Sequence, residues 1–376
     1  MTAQPVLVDL APLLELLLLG LALGAVPLAI WYMRSRALDA RGKLRALTLL
    51  TAFLTFDLII FGAFTRLSDS GLGCPDWPGC YGEASPIGAR TEIAAEQALR
   101  PQGPVTHGKA WVEMVHRYWA SSVGFLIIVL LALAWCWRDQ RLPAIGWSVL
   151  TLFWVLLQGA FGALTVTLKL YPAIVTLHLL FGLGLLVVLV LQAERLRPQP
   201  LATDSGMRWA WGVAGGLLWL QIASGGWVST NYAVLICSDF PTCQGSWWPA
   251  MDFEDGFRLM RHLGSDGEGG WLGVPALTAI HVVHRLLALA LSAAVLGLAY
   301  LLWRQGSRRW AVLWLGLLTW QVLSGISNVV LGWPLLAALM HSGGAAALVL
   351  VWTILGARLN AHAQSERSLG LREVRA

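Results

Sequence analysis

Charge is what this 376-residue sequence has least of: 21 acidic and 26 basic residues make up only 12% of it, where a soluble domain carries about 25%. That deficit, beside a hydrophobic fraction of 57%, excludes an ordinary soluble globule. Basic residues are also missing where a targeting segment would need them. Ala3 to Asp9 hold none, and no Arg-rich amphipathic run opens the chain, so neither a cleaved signal nor a transit peptide is expected. The two longest polar loops, 66–112 and 230–276, have few Lys or Arg for their length, so the net charge of +5 is no nucleic-acid footprint. Also lacking is a pair of Gly/Pro-broken helices around a central ionic site, which a transporter would show.

What the sequence does hold is apolar runs of about 20 residues, the length that spans a hydrocarbon core of about 30 Å. Nine are readable, at about 11–33, 46–65, 113–135, 145–167, 173–193, 208–229, 277–303, 309–331 and 335–357. In lipid each has to be helical, because an unpaired backbone group there costs several kcal/mol. The basic residues gather on one side: Arg34, Arg36, Arg41, Lys43 and Arg45, then Arg138 and Arg141, then Arg195, Arg197 and Arg208, then Arg304, Arg308 and Arg309, and finally the tail after Ala357. That side is expected to be cytoplasmic. The C-terminus then lies inside, and nine spans put the N-terminus outside.

The sequence also repeats itself. The stretch Cys74-Pro-Asp-Trp-Pro-Gly-Cys80-Tyr-Gly82 matches Cys237-Ser-Asp-Phe-Pro-Thr-Cys243-Gln-Gly245 at an offset of 163. The same offset carries Gly62 to Gly225, Gln158 to Gln321, Gly162 to Gly325 and His178 to His341, while His116-Arg117 meets His284-Arg285 at 168. Four spans per repeat is an even number, so both halves enter the membrane from the same side, as a parallel repeat. The expected fold is therefore an all-α integral membrane protein, with two parallel-repeat four-helix bundles (eight core transmembrane helices) and one extra N-terminal transmembrane helix. Its divisions are 1–45, the extra span and a cytoplasmic basic loop; 46–197, the N-terminal half; and 198–376, the C-terminal half and tail.

Four of the eight histidines occupy equivalent places: His116 and His178 in one half, His284 and His341 in the other. Each pair comes from the second and fourth helices of its bundle, where such folds clasp a cofactor. Two neutral imidazoles suit a six-coordinate haem iron; zinc would want its ligands in one tetrahedron rather than split two and two. The halves differ one helical turn earlier, where Glu113 precedes His116 but His281 precedes His284, on the same helix face. Glu113 is either a functional carboxylate at membrane depth or a solvated one at a helix mouth, and His281 is a second candidate ligand beside His284. Arg66, Arg117 and Arg285 are candidate partners for haem propionates, given how well Arg pairs with carboxylates, or simply interface residues. Cys74 with Cys80 and Cys237 with Cys243 form two outer-loop pairs in a compartment where disulfides persist. For Cys74 and Cys80 a redox-active pair is the alternative. Most of the 21 tryptophans read as interface residues.

Taken together, the Gly62 to Arg66-Leu-Ser-Asp-Ser-Gly-Leu stretch, Cys74 to Cys80, Glu113-Met-Val-His116-Arg, His178, His284-Arg and His341 resemble the haem A synthase family of cytochrome oxidase assembly, over about 46–357. The resemblance implies an enzyme that oxidises the C8 methyl of haem O to a formyl group, giving haem A; the missing transit peptide points to the inner membrane of a bacterium. The resemblance also implies substrate haem between His116 and His178, haem b between His284 and His341, and functional places for Glu113 and the Cys74–Cys80 pair. Glu113 would serve as catalytic base or as a charge that stabilises a developing cation. Membrane lipid, a haem O synthase and oxidase assembly factors are the partners it implies, and a homo-oligomer is compatible with it. The main rival is a membrane cytochrome b that passes electrons from quinol to an outer partner. It explains four histidines but not the difference between Glu113 and His281. A quinone-linked disulfide oxidase would leave the histidines idle.

Overall fold

A computed structural model describes residues 11–101, 103–140, 142–260 and 271–373. Arg141, Ala3 to Asp9 and the last residues of the tail, used above, lie outside the described residues. Among those described there is no strand, and most of them are helical. It divides into two compact units, Met1–Leu170 and Tyr171–Ala376. This packing division falls within the stretch assigned above to the first repeat, so repeat and packing unit partition the chain differently.

The first unit holds α1 (Ala11–Arg34), α2 (Ala40–Leu67), the short α3 (Arg90–Leu99), α4 (His107–Cys136) and α5 (Ile145–Thr167). Helix α4 is its hub, packing against α1, α2, α3 and α5. The extra N-terminal helix reaches α4 through two glycines four residues apart. A Cβ on Gly20 would stand 2.4 Å from Ser121 Cβ, and one on Gly24 would stand 2.7 Å from the Phe125 ring. Small residues at this spacing let two membrane helices approach closely enough for dispersion to hold them.

The second unit holds α6 (Pro172–Leu196), α7 (Ser205–Thr230), the one-turn α8 (Phe253–Gly256), α9 (Val274–Arg304), α10 (Arg308–Val330) and α11 (Leu335–Glu373). Contacts run α7 to α9, α9 to α10, α10 to α11 and α11 back to α7, closing a four-helix ring, with α6 lying against α7 and α11. One joint is reciprocal. Trp211 of α7 and Trp352 of α11 stack with centroids 4.9 Å apart and planes 6° apart. Each indole N–H donates to the other's carbonyl, at 2.9 and 3.1 Å. Each ring lies where the other helix has glycine: a Cβ on Gly215 would meet Trp352 at 2.2 Å, and one on Gly356 would meet Trp211 at 2.2 Å.

Among the described residues, eight helices (α1, α2, α4, α5, α6, α9, α10, α11) are long and apolar enough to cross a membrane, so this is a multi-pass membrane protein. The ninth expected span, α7, forms a 26-residue helix but is not among them. Six glycines and four tryptophans in that helix give packing shape rather than hydropathy. Of the other spans, α2 and α4 each start six residues before their apolar runs do. Helix α4 begins at His107 under a Thr106 cap, which places His116 nine residues, or about 14 Å, into the helix.

Candidate active site and histidine pairs

The two cysteine loops have one architecture. In each, the cysteines stand at disulfide distance, 2.11 Å between sulfurs for Cys74 and Cys80 and 2.02 Å for Cys237 and Cys243. An aspartate inside the ring turns the chain back. Asp76 accepts from the Tyr81 and Gly82 amides at 2.6 and 2.7 Å, and Asp239 accepts from those of Gln244 and Gly245 at 2.7 and 3.0 Å. Gly82 and Gly245 have φ of +77° and +73°, which glycine adopts without a Cβ penalty. Identical turns at the 163 offset are the repeat expressed as structure.

An arginine from the helix that follows holds each loop. Arg117 of α4 donates to the carbonyls of Pro78 and Gly79. Arg285 of α9 donates to those of Thr242 and Asp239, at 2.8 and 2.9 Å, and more distantly to Pro241 and Cys237. Their guanidiniums thus bind loop backbone. Arg66 ends α2 in an ion pair with Asp69, at 3.2 Å.

Where the sequence differs between the halves, the geometry does too. Glu113, 4% exposed, takes a hydrogen bond from the Cys74 amide at 2.9 Å and forms an ion pair with Arg117 through its other oxygen. Carboxylate, guanidinium and cysteine loop are one buried assembly. In the second unit His281, also buried, lies with Nδ1 2.8 Å from the Ala233 carbonyl. It is thus engaged with backbone, while the ring of His284 lies against α7.

Three of the four paired histidines rest on glycine. A Cβ on Gly62 would come 3.0 Å from His116 Nε2, one on Gly225 3.1 Å from His284 Cε1, and one on Gly325 3.2 Å from His341 Cε1. These glycines are among the repeat's fixed points, and the close approach is the physical reason for them. Phe61 stacks on His116, centroids 6.3 Å apart and planes 12° apart. His178 sits on α6, in the second unit. Two serines not anticipated from sequence reach His284 and His341: Ser224 Oγ is 2.8 Å from His284 Nδ1, and Ser324 Oγ is 3.0 Å from His341 Nδ1. Their signal was present in the motif Gln-x-x-Ser-Gly, which occurs at 221–225 and again at 321–325.

A profile of the cytochrome oxidase assembly protein family matches residues 45–353, which takes in both cysteine loops and all four histidines. The chain belongs to that family. Members of the cytochrome oxidase assembly protein family similar to it include a heme A synthase of Shewanella oneidensis, 40% identical over 309 residues that cover 80% of this chain and 92% of the relative. Another, from Granulibacter bethesdensis, is 30% identical over 337 residues, 81% of this chain and 85% of that one. A third, from Halalkalibacterium halodurans, is 25% identical over 301 residues, 76% and 86% of the two chains. The family match begins at residue 45, so α1 lies ahead of the matched residues.

Proposed function

We propose that this protein is a haem A synthase, oxidising the C8 methyl of haem O to the formyl group of haem A for terminal oxidase assembly. The observation that carries the reading is the duplicated histidine-on-glycine arrangement within a chain whose relatives bear that name. A glycine beneath an imidazole leaves room for a ring held at fixed angle, and an oriented imidazole is what an axial ligand has to be. His116 and His178 are the ligands assigned to the substrate haem, in the half 46–197. His284 and His341 are those assigned to a haem b, in the half 198–376. Bound there, haem b would supply a one-electron relay for successive removals of electrons from the methyl group.

Glu113 is the residue assigned to the reaction itself. Its ion pair with Arg117 keeps a negative charge buried, which favours stabilising a developing cation over acting as a free base. Arg117 and Arg285, committed to loop carbonyls, would address propionates only through the same guanidiniums; Arg66 is the third candidate. The proposed setting is the inner membrane of a bacterium, with nine spans including α7, the C-terminus in the cytoplasm and both cysteine loops outside. A haem O synthase and oxidase assembly factors are the proposed partners.

Mass spectrometry of haems extracted from the purified protein, co-expressed with a haem O synthase, tests the reading. Haem B together with haem O, haem A or a hydroxylated intermediate is the expected result. Haem B alone, at two per chain, would replace this reading with the electron-transferring cytochrome b.

A further inference from the structure

The serines beside His284 and His341 are placed to set which nitrogen of each ring carries the proton. A hydroxyl has one hydrogen to donate. That of Ser224 goes to the Gln221 carbonyl at 2.8 Å, and that of Ser324 goes to the Trp320 carbonyl at 2.7 Å. Toward the histidines both oxygens are therefore acceptors, and the partner nitrogen in each case is Nδ1. A neutral imidazole protonated at Nδ1 has its lone pair at Nε2. Below each ring the glycine next in sequence, Gly225 or Gly325, prevents crowding. Serine and glycine thus act as a unit: one fixes the proton, the other the ring position.

The feature belongs to one half only. At the 163 offset the positions of Ser224 and Ser324 hold Phe61 and Phe161, and Phe61 lays its ring against His116. Hydroxyls accompany one histidine pair, and aromatic rings stand at the equivalent places of the other.

We propose that Ser224 and Ser324 are positioning residues for a haem b iron. By accepting Nδ1–H they would leave both Nε2 lone pairs available to the metal and would make the imidazoles stronger donors. This rests on assigning haem b to His284 and His341. Stronger donation stabilises the ferric over the ferrous iron, so the hydroxyls hold the midpoint potential down and the haem in place. Loss of such an outer partner weakens metal-site affinity by about 10- to 100-fold.

The test uses the full-length protein in detergent, with haem b quantified per chain, its midpoint potential titrated and its transfer to apomyoglobin timed. Ser224→Ala and Ser324→Ala are expected to raise the potential and to speed haem loss by about 10-fold or more. Ser224→Thr and Ser324→Thr, which keep the hydroxyl, are expected to restore both. Wild-type potential and retention in the alanine variants, with haem b present, would overturn the serine role while leaving the haem site intact. If His284→Ala and His341→Ala leave the haem b spectrum unchanged, the haem assignment falls, and the serine role falls with it.

Discussion

Glu113 and Arg117 stand one helical turn apart on α4 and share a buried ion pair, while the same two side chains also grip the first cysteine loop. A carboxylate so placed has two possible kinds of importance, and Glu113→Gln separates them. As an isostere it can still accept from the Cys74 amide, but it withdraws the charge facing Arg117. Breaking a buried pair costs about 3–5 kcal/mol, so the melting temperature in detergent is expected to fall. If Glu113 also serves the reaction, haem A is expected to fall by about 100-fold or more, with haem O accumulating in protein that still binds haem. Full haem A output at a lowered melting temperature would leave it only the structural role.

Among the helices and loops, two features invite measurement. At the α7–α11 joint the stacked indoles occupy the space of two absent side chains. Gly215→Leu or Gly356→Leu is expected to destabilise the second unit by about 1–3 kcal/mol through overpacking. Thermal unfolding in detergent reads this, with Gly212→Leu as the control, since nothing lies within 4 Å of a Cβ there. In the second cysteine loop, hydrogen bonds from Thr242 and from the Gly245 amide lower the Asp239 carboxyl from 3.8 to about 2. A carboxylate depressed in the folded state stabilises its turn above the ordinary value and stops doing so as pH falls through the depressed one. The Gln244 and Gly245 amides are therefore expected to stay protected from exchange at pH 5 and to lose protection between about pH 4 and pH 2, after correction for intrinsic rates. Asp239→Asn is expected to flatten that dependence.

At the scale of the molecule, the positive-inside distribution and the count of spans underlie the proposed topology, which a reporter tests. A fluorescent reporter that folds only in the cytoplasm is expected to light up when fused after residue 362 and to stay dark when inserted at residue 86. Light at both, or darkness at the C-terminus, would reverse the orientation. Much of this architecture was legible in the sequence because membrane helices announce themselves by apolar length and the repeat by fixed spacing. Both cysteine pairs were legible for the same reason. Other features were not. Helices α3 and α8 lie in polar loops, where no apolar run marks them. The extra turns of α4 before Glu113 follow from the Thr106 cap, a local signal weaker than hydropathy. Ser224, Ser324 and the Trp211–Trp352 joint depend on which helix lies opposite, and a one-dimensional pattern carries no such pairing. Tryptophans that read as interface residues by composition include two that lock a helix pair.

That joint constrains how the chain can be recombined. Each of its two helices contributes both the bulky member and the empty one, in the same order and at the same spacing of four: Trp211 with Gly215, Trp352 with Gly356. A change at any one of the four positions leaves three residues shaped for a neighbour that has gone. The four are thus inherited as a single character, kept or abandoned together. A chimaera taking α7 from one relative and α11 from another is expected to assemble only when its parents agree at all four positions.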